Sequence, residues 1–288
     1  MRTSAIRFLL MLAAVGVPTS ASSASSSLVF THATVIDVRT GHVLRDQSVV
    51  ITGGRITALS PRAEIPANAQ VVDATDKFVI PGFWDMHAHA LWSTDQIKRM
   101  FDLFLANGIT SIRDMRSPLP VSETLGWRTK IANGTVLGPR IFAAGKLVDG
   151  PKPVWPGSVA VGSEEEAREA VDMLNEDGVD FIKVYSRLPR VAYFAVVAAA
   201  KMDGLSFVGH VPIYVSASEA SEAGQGSIEH LSEILFACSR SESDLRKQLV
   251  AAAIGVERDR VRKEQLKGRW APPKPPRHTS TPQISSSL

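Results

Sequence analysis

His87 and His89 close an apolar run, Val79-Ile80-Pro81-Gly82-Phe83-Trp84-Asp85-Met86-His87-Ala88-His89. Residues two apart on a strand point to the same face, so these two imidazoles can grip one metal ion together. Three later stretches of strand character end on Lys183, His210 and His230. Neutral imidazole binds zinc and similar ions well. An isolated His-x-His occurs by chance, and His210 or His230 taken singly reads as a hydrogen-bonded histidine at a strand end. The metal reading comes from recurrence at successive strand ends, which uses four of the chain's seven histidines.

Lys183 lies in Asp180-Phe181-Ile182-Lys183-Val184-Tyr185, a stretch otherwise suited to burial. Burying an ammonium is costly and lowers its pKa. A neutral lysine can add carbon dioxide to form a carbamate, whose two oxygens can bridge two cations. The other reading is a lysine whose head reaches a carboxylate, and the matching histidine positions favour the carbamate. Arg113 and Tyr185, also near strand ends, are candidate binders of a substrate carboxylate. A salt bridge competes for Arg113, and a half-buried strand position competes for Tyr185. Cys238 is the only cysteine, so no intramolecular disulfide staples the fold. It reads as a small core residue.

Elements that could position these groups follow from pattern. Residues 28–76 read as short strands, with Gly53-Gly54 as a two-residue hairpin turn. From Phe78 the pattern becomes strand, helix, strand. A helix over 94–107 carries an apolar stripe and stops at Gly108. Strands follow over 109–115 and 140–145. Ser163 and Glu166 form a capping box before a helix that ends near Gly178. A strand over 179–185 leads through Pro189 to a helix reaching Met202. A strand over 205–210, a helix capped by Ser216 and Glu219, a sixth strand over 227–230 and a helix over 241–253 complete the series. Such alternation implies parallel βαβ pairing, and ligands at strand ends suit a (β/α) barrel, where chemistry sits at the C-terminal ends. A doubly wound sheet is the competing architecture.

Both ends of the chain differ from its middle. Arg2 and Arg7 precede the apolar stretch Phe8–Val17, and small residues follow, so residues 1–24 read as a secretory signal. The expectation is a secreted or periplasmic protein with no membrane association once the signal is removed. Residues 257–288 hold eight Lys/Arg against three Asp/Glu and are rich in proline, which reads as a disordered tail from 254 onward. The net charge of +3 belongs to these ends, and the net acidic body gives no sign of a nucleic-acid partner. Domain organisation is therefore expected as signal 1–24, partial β-sandwich 25–77, barrel 78–253 and tail 254–288.

The segments Val35-Ile36-Asp37, Gly54-Arg55-Ile56, Val72-Asp73-Ala74-Thr75 and Ile80-Pro81-Gly82 through His89 resemble the start of a metal-dependent amidohydrolase. The likeness continues in Gly108 to Met115, Phe181 to Tyr185, Gly209-His210-Val211 and Ile228-Glu229-His230-Leu231, and points to the imidazolonepropionase-like, Xaa-Pro dipeptidase-like (prolidase-like) branch. That resemblance implies an α/β protein of the (β/α)8 TIM-barrel type beside a small N-terminal β-sandwich. It implies two divalent metal ions, zinc by default, with His87 and His89 holding one, His210 and His230 the other, and carboxylated Lys183 between them. The implied reaction is hydrolysis of an amide or related C–N bond in a small molecule, such as a dipeptide or N-acyl amino acid. The family also has eight barrel strands and an aspartate on the last, which handles the proton of the attacking water. Six strands are readable here, and only Asp244 and Asp259 follow His230. From Phe78 to Ala253 there are 176 residues, against ~250 for a typical barrel. A truncated hydrolase is therefore expected, impaired by loss of the last strands. The alternative is a catalytically dead metal-binding or interaction fragment of the same fold.

Overall fold

The computed structural model describes residues 27–231 and 233–254. The expected signal and most of the expected tail lie outside the described residues. The chain divides into two compact units between Pro81 and Gly82.

In the first unit five strands make one sheet: β1 Ser27–Ile36, β2 Val43–Thr52, β3 Arg55–Ser60, β4 Gln70–Asp73 and β5 Phe78–Val79. The spatial order is β3-β2-β1-β4, and β5 also pairs with β1. β2 lies antiparallel to β1 and β3, whereas β4 and β5 run parallel to β1. Gly53 and Gly54 both take positive φ, 58° and 74°, as a tight hairpin turn demands. Within the stretch expected to form short strands, residues 27–36 make one longer strand, kinked where His32 takes φ 58°. Among the described residues this unit has one sheet and no facing second layer.

The second unit alternates strands and helices. Its strands are β6 Phe83–Ala88, β7 Ile109–Asp114, β8 Arg140–Ala143, the short β9 Val148–Asp149 and β10 Val159–Ala160, β11 Phe181–Val184 and β12 Ser206–Gly209. All pairings are parallel, in sheets ordered β6-β7-β8 and β10-β9-β11-β12. β8 and β9 belong to one stretch broken near Gly145, so its first half pairs with β7 and its second with β11. The main strands follow chain order without the reversal that marks a doubly wound sheet. The fold is α/β with parallel sheets.

Helices α1 Thr94–Ala106 and α2 Val121–Ala132 pack against β6 to β8 through Ile97, Phe101 and Trp127. Helices α3 Glu164–Glu176 and α4 Arg190–Met202 cover β11 through Val171, Leu174, Tyr193 and Val196. Both capping boxes form as expected, at Ser163/Glu166 and at Ser216/Glu219 ahead of α5 Ala217–Glu222. On β11, Ile182 and Val184 join the helix-facing core, while Phe181 joins a small cluster with Met115, Ala144 and Val208. Alternation along the strand places Lys183 on the Phe181 side.

Three expectations change. The sixth strand shrinks to a parallel bridge between Gly209 and Ile228, followed by a tight helical turn over Glu229–Leu231 in which His230 takes φ 60°. His230 and Leu231 are left-handed in succession, φ 60° and 53°, so the chain turns here and His230 is presented by a turn. Helix α2 was not expected, because its buried positions Val121, Thr124 and Trp127 give little amphipathic contrast. Cys238, just after α6 Ile234–Ala237, is exposed, not a core residue. The last helix, α7 Glu242–Ile254, lies close to its expected bounds. Among the described residues no helix is long and apolar enough to cross a membrane.

Candidate metal centre

The ends of β6, β11 and β12 and the turn after Ile228 bring the four histidines into one group. The rings of His87 and His89 have centroids 5.3 Å apart, His87 and His230 4.5 Å, and His210 and His230 5.1 Å. Lys183 is 2% exposed, and its charge acts on His87, His89 and His210.

Each of three histidines places its Nδ1 against an oxygen. His87 Nδ1 meets Glu229 Oε2 at 2.5 Å, His89 Nδ1 meets the Arg116 carbonyl at 3.3 Å, and His210 Nδ1 meets Ser186 Oγ at 2.8 Å. Metal-ligating histidines characteristically donate one ring N–H to an oxygen, which fixes the tautomer and frees the other nitrogen for the ion. Here Nε2 is the nitrogen left over in all three. Burial lowers the pKa of His87 and His89 and pushes His210 down to about 3, so these rings are neutral and ligand-ready at pH 7. Burial also brings the Lys183 ammonium down to about 8; Glu229 opposes this and Arg113 adds to it. The donor types and their outer partners fit a divalent cation. Among the described residues, however, no three His, Cys, Asp or Glu side chains stand in position to hold one ion.

Glu229 organises the group and had no assigned role in the sequence. It is 6% exposed. Besides His87, its carboxylate accepts from Arg113 Nη2 at 2.6 Å and from Ser227 Oγ at 2.6 Å. Burial works to raise its pKa, but Ser227, His87, Lys183 and Arg113 together bring it below the usual value. Arg113 is thereby committed: its Nη2 also reaches Ser227 Oγ at 3.0 Å, and its Nε donates to the Met86 carbonyl at 2.8 Å. The salt-bridge reading of Arg113 holds, and its guanidinium is taken. The Tyr185 ring lies 4.0 Å from that of His210, and its hydroxyl accepts from Trp155 Nε1 at 2.9 Å. Asp244 is remote from this chemistry, exposed on α7 and 3.6 Å from Lys247. Asp259 lies outside the described residues.

No family model matches the chain. Similarity to individual proteins is clear. An imidazolonepropionase of Deinococcus radiodurans is 36% identical over 56 residues, which is 19% of this chain and 14% of that protein. A Bifidobacterium longum protein described as a prolidase candidate superposes with TM-score 0.57 at 28% identity, covering 65% of this chain and 50% of the other. A prolidase complexed with N-methylphosphonate-L-proline superposes with TM-score 0.60 at 24% identity, covering 71% and 61%, which is a likeness of fold. The chain is thus similar to proteins of the amidohydrolase superfamily, prolidases among them. It spans only 50% and 61% of the two solved amidohydrolase-type chains. Amidohydrolase superfamily members are generally dinuclear metal enzymes.

Proposed function

We propose that this chain carries the metal centre of a secreted or periplasmic amidohydrolase that cleaves an amide C–N bond in a small molecule or dipeptide. The observation that carries the reading is the shared use of Nδ1 by His87, His89 and His210, with Nε2 left free around buried Lys183. The parallel strands in chain order support a (β/α) barrel. The sheet at residues 27–79 would be one layer of the accompanying sandwich. Residues 1–24 would direct export and be removed from the mature protein.

His87 and His89 would hold one divalent ion, His210 and His230 the other, with zinc the expected metal and a carboxylated Lys183 bridging them. When bound, the ions supply Lewis acidity and lower the pKa of a water molecule. Glu229 holds the His87 ring in the tautomer with its proton on Nδ1, and Ser186 holds His210. Arg113 offsets the Glu229 charge, so the carboxylate stays ionised while buried. Burial keeps a fraction of Lys183 neutral near pH 8, the form that can add carbon dioxide.

The test is elemental analysis of the purified chain beside carbon-13 NMR after growth with labelled bicarbonate. About two zinc equivalents and a carbamate resonance are expected. Both should fall in Lys183→Ala, and the metal should fall in His87→Ala. Metal content unchanged by either substitution would sink the reading.

A further inference from the structure

The chain leaving β7, from Asp114 to Ser117, grips the chain leaving β6, from Ala88 to Leu91, with His89 inside the grip. Asp114 Oδ2 accepts from the Ala90 and Leu91 amides at 2.8 and 3.1 Å. The Met115 amide donates to the Ala88 carbonyl at 2.9 Å. The Arg116 carbonyl faces His89 Nδ1, and Ser117 Oγ donates to the Leu91 carbonyl at 2.8 Å. The grip is itself anchored on the next stretch: the Ala144 amide donates to the Asp114 carbonyl, and the Ser117 amide to the Gly145 carbonyl. Ala88, Ala90 and Leu91 are buried in the core with Ile97 and Phe101, whereas His89 between them is exposed.

Packing alone gives no reason for a carboxylate at this place. Asp114 is fully buried, and among the described residues its Oδ1 has no hydrogen-bond partner. A buried polar atom left unpaired costs about 1–3 kcal/mol. What Oδ2 does with its two amides is fix the direction in which the chain leaves His89. That direction matters because His89 is held loosely. Its Nδ1 contact is 3.3 Å long, at the far end of the range for an N–H···O bond, whereas His87 Nδ1 meets Glu229 at 2.5 Å. A carbonyl only accepts, so the Arg116 contact requires the proton on Nδ1. A small drift of the loop would lose it and let the proton pass to Nε2, the nitrogen that a metal needs.

Resting on the metal-centre reading above, we infer that Asp114 and Ser117 are positioning residues for His89. Their bonds to the backbone just after His89 keep its Nδ1 on the Arg116 carbonyl and leave Nε2 unprotonated for the first ion. His87 and His210 are held by other groups, Glu229 and Ser186, so the clamp serves one ligand of one ion.

Zinc titration of the full chain against a competing chelator, beside nitrogen-15 NMR of the metal-free histidines, tests this. In the unaltered chain His89 should show the Nδ1–H tautomer, and about two zinc ions should bind. Asp114→Ala and Ser117→Ala should mix the His89 tautomers and weaken one zinc by about 10–100-fold, the range for a lost outer partner of a metal ligand. The other zinc should keep its affinity, which shows that the variant is folded. Asp114→Asn keeps an oxygen for the two amides and should restore both readouts. If Asp114→Ala does not fold, Ser117→Ala decides alone, since it loses only one hydroxyl. Unchanged tautomer and zinc affinity in the folded variants overturn the clamp. Equal weakening of both ions in a folded variant, or failure of Asp114→Asn to restore the readouts, overturns it as well. An unaltered chain that binds no zinc, with the tautomer shift still seen in the variants, overturns the metal-centre reading and leaves the clamp on His89 standing. No zinc and no tautomer shift overturn the two together.

Discussion

Glu229 accepts from His87, Arg113 and Ser227 at once, with side-chain exposures of 8% for Glu229 and 12% for Arg113. Removing one partner of such a buried pair leaves an uncompensated charge, and the expected cost of Glu229→Gln or Arg113→Met is about 3–5 kcal/mol each in urea unfolding. The double variant Arg113→Met with Glu229→Gln should cost much less than the two singles combined, and strict additivity would refute the coupling. The same reasoning that singled out Lys183, a charge inside an apolar stretch, would have singled out Glu229 one residue before His230. The ligand candidates were legible because histidine is rare and recurred at strand ends. A salt bridge for Arg113 was legible as a reading, but its partner was not, because Glu229 lies 116 residues away. A second buried carboxyl gives a pH signature. Asp114 is 0% exposed, and burial raises its pKa to about 7 against the pull of the Leu91, Ala90 and Arg116 amides. A carboxyl raised on folding is penalised when ionised. Stability is therefore intact below its unfolded pKa and falls as pH rises from about 4 to about 7, by an order of ~4 kcal/mol. Asp114→Asn should lack this slope. Parallel pH–stability curves for the two proteins would contradict the assignment.

At the scale of elements, capping boxes and glycine stops were readable because they are local chemistry, as the predicted and observed starts of α3 at Ser163 and α5 at Ser216 agree. The sixth strand failed because strand identity depends on partners: Ile228 meets only Gly209, and the chain turns at His230. Gly209 explains how tightly that corner is built. Its φ is 136°, and an added Cβ would lie 2.1 Å from the Val184 carbonyl oxygen on the neighbouring strand. Gly209→Ala should therefore destabilise by about 1–3 kcal/mol or more and disturb the adjacent His210. Gly126, within α2, has open space around its Cβ position and no positive φ. Gly126→Ala should stabilise by roughly 0.5–1 kcal/mol through helix propensity. Thermal melts of the two variants check both signs, and equal shifts would show that the close approach at Gly209 is not limiting.

For the whole molecule, period and order gave the α/β class, since helices laid on one side of parallel strands leave an alternating record in sequence. What periodicity does not record is which edge is left open. Among the described residues β6 pairs only with β7, and along it Phe83 is 56%, Trp84 46% and Met86 50% exposed. An unpaired edge carrying apolar side chains is a template for another chain. The expected behaviour in solution is concentration-dependent association through β6, with binding of a hydrophobic dye. Trp84 touches Phe142 with ring centroids 5.1 Å apart and otherwise faces outward enough to be replaced. Trp84→Lys places a charge on the edge, the device natural sheets use against pairing, and should raise the concentration at which light scattering first increases. Its effect on stability should stay within about 1 kcal/mol, as for other largely exposed positions. Scattering that is flat with concentration in the unaltered chain, or equal in the variant, would place the association surface elsewhere.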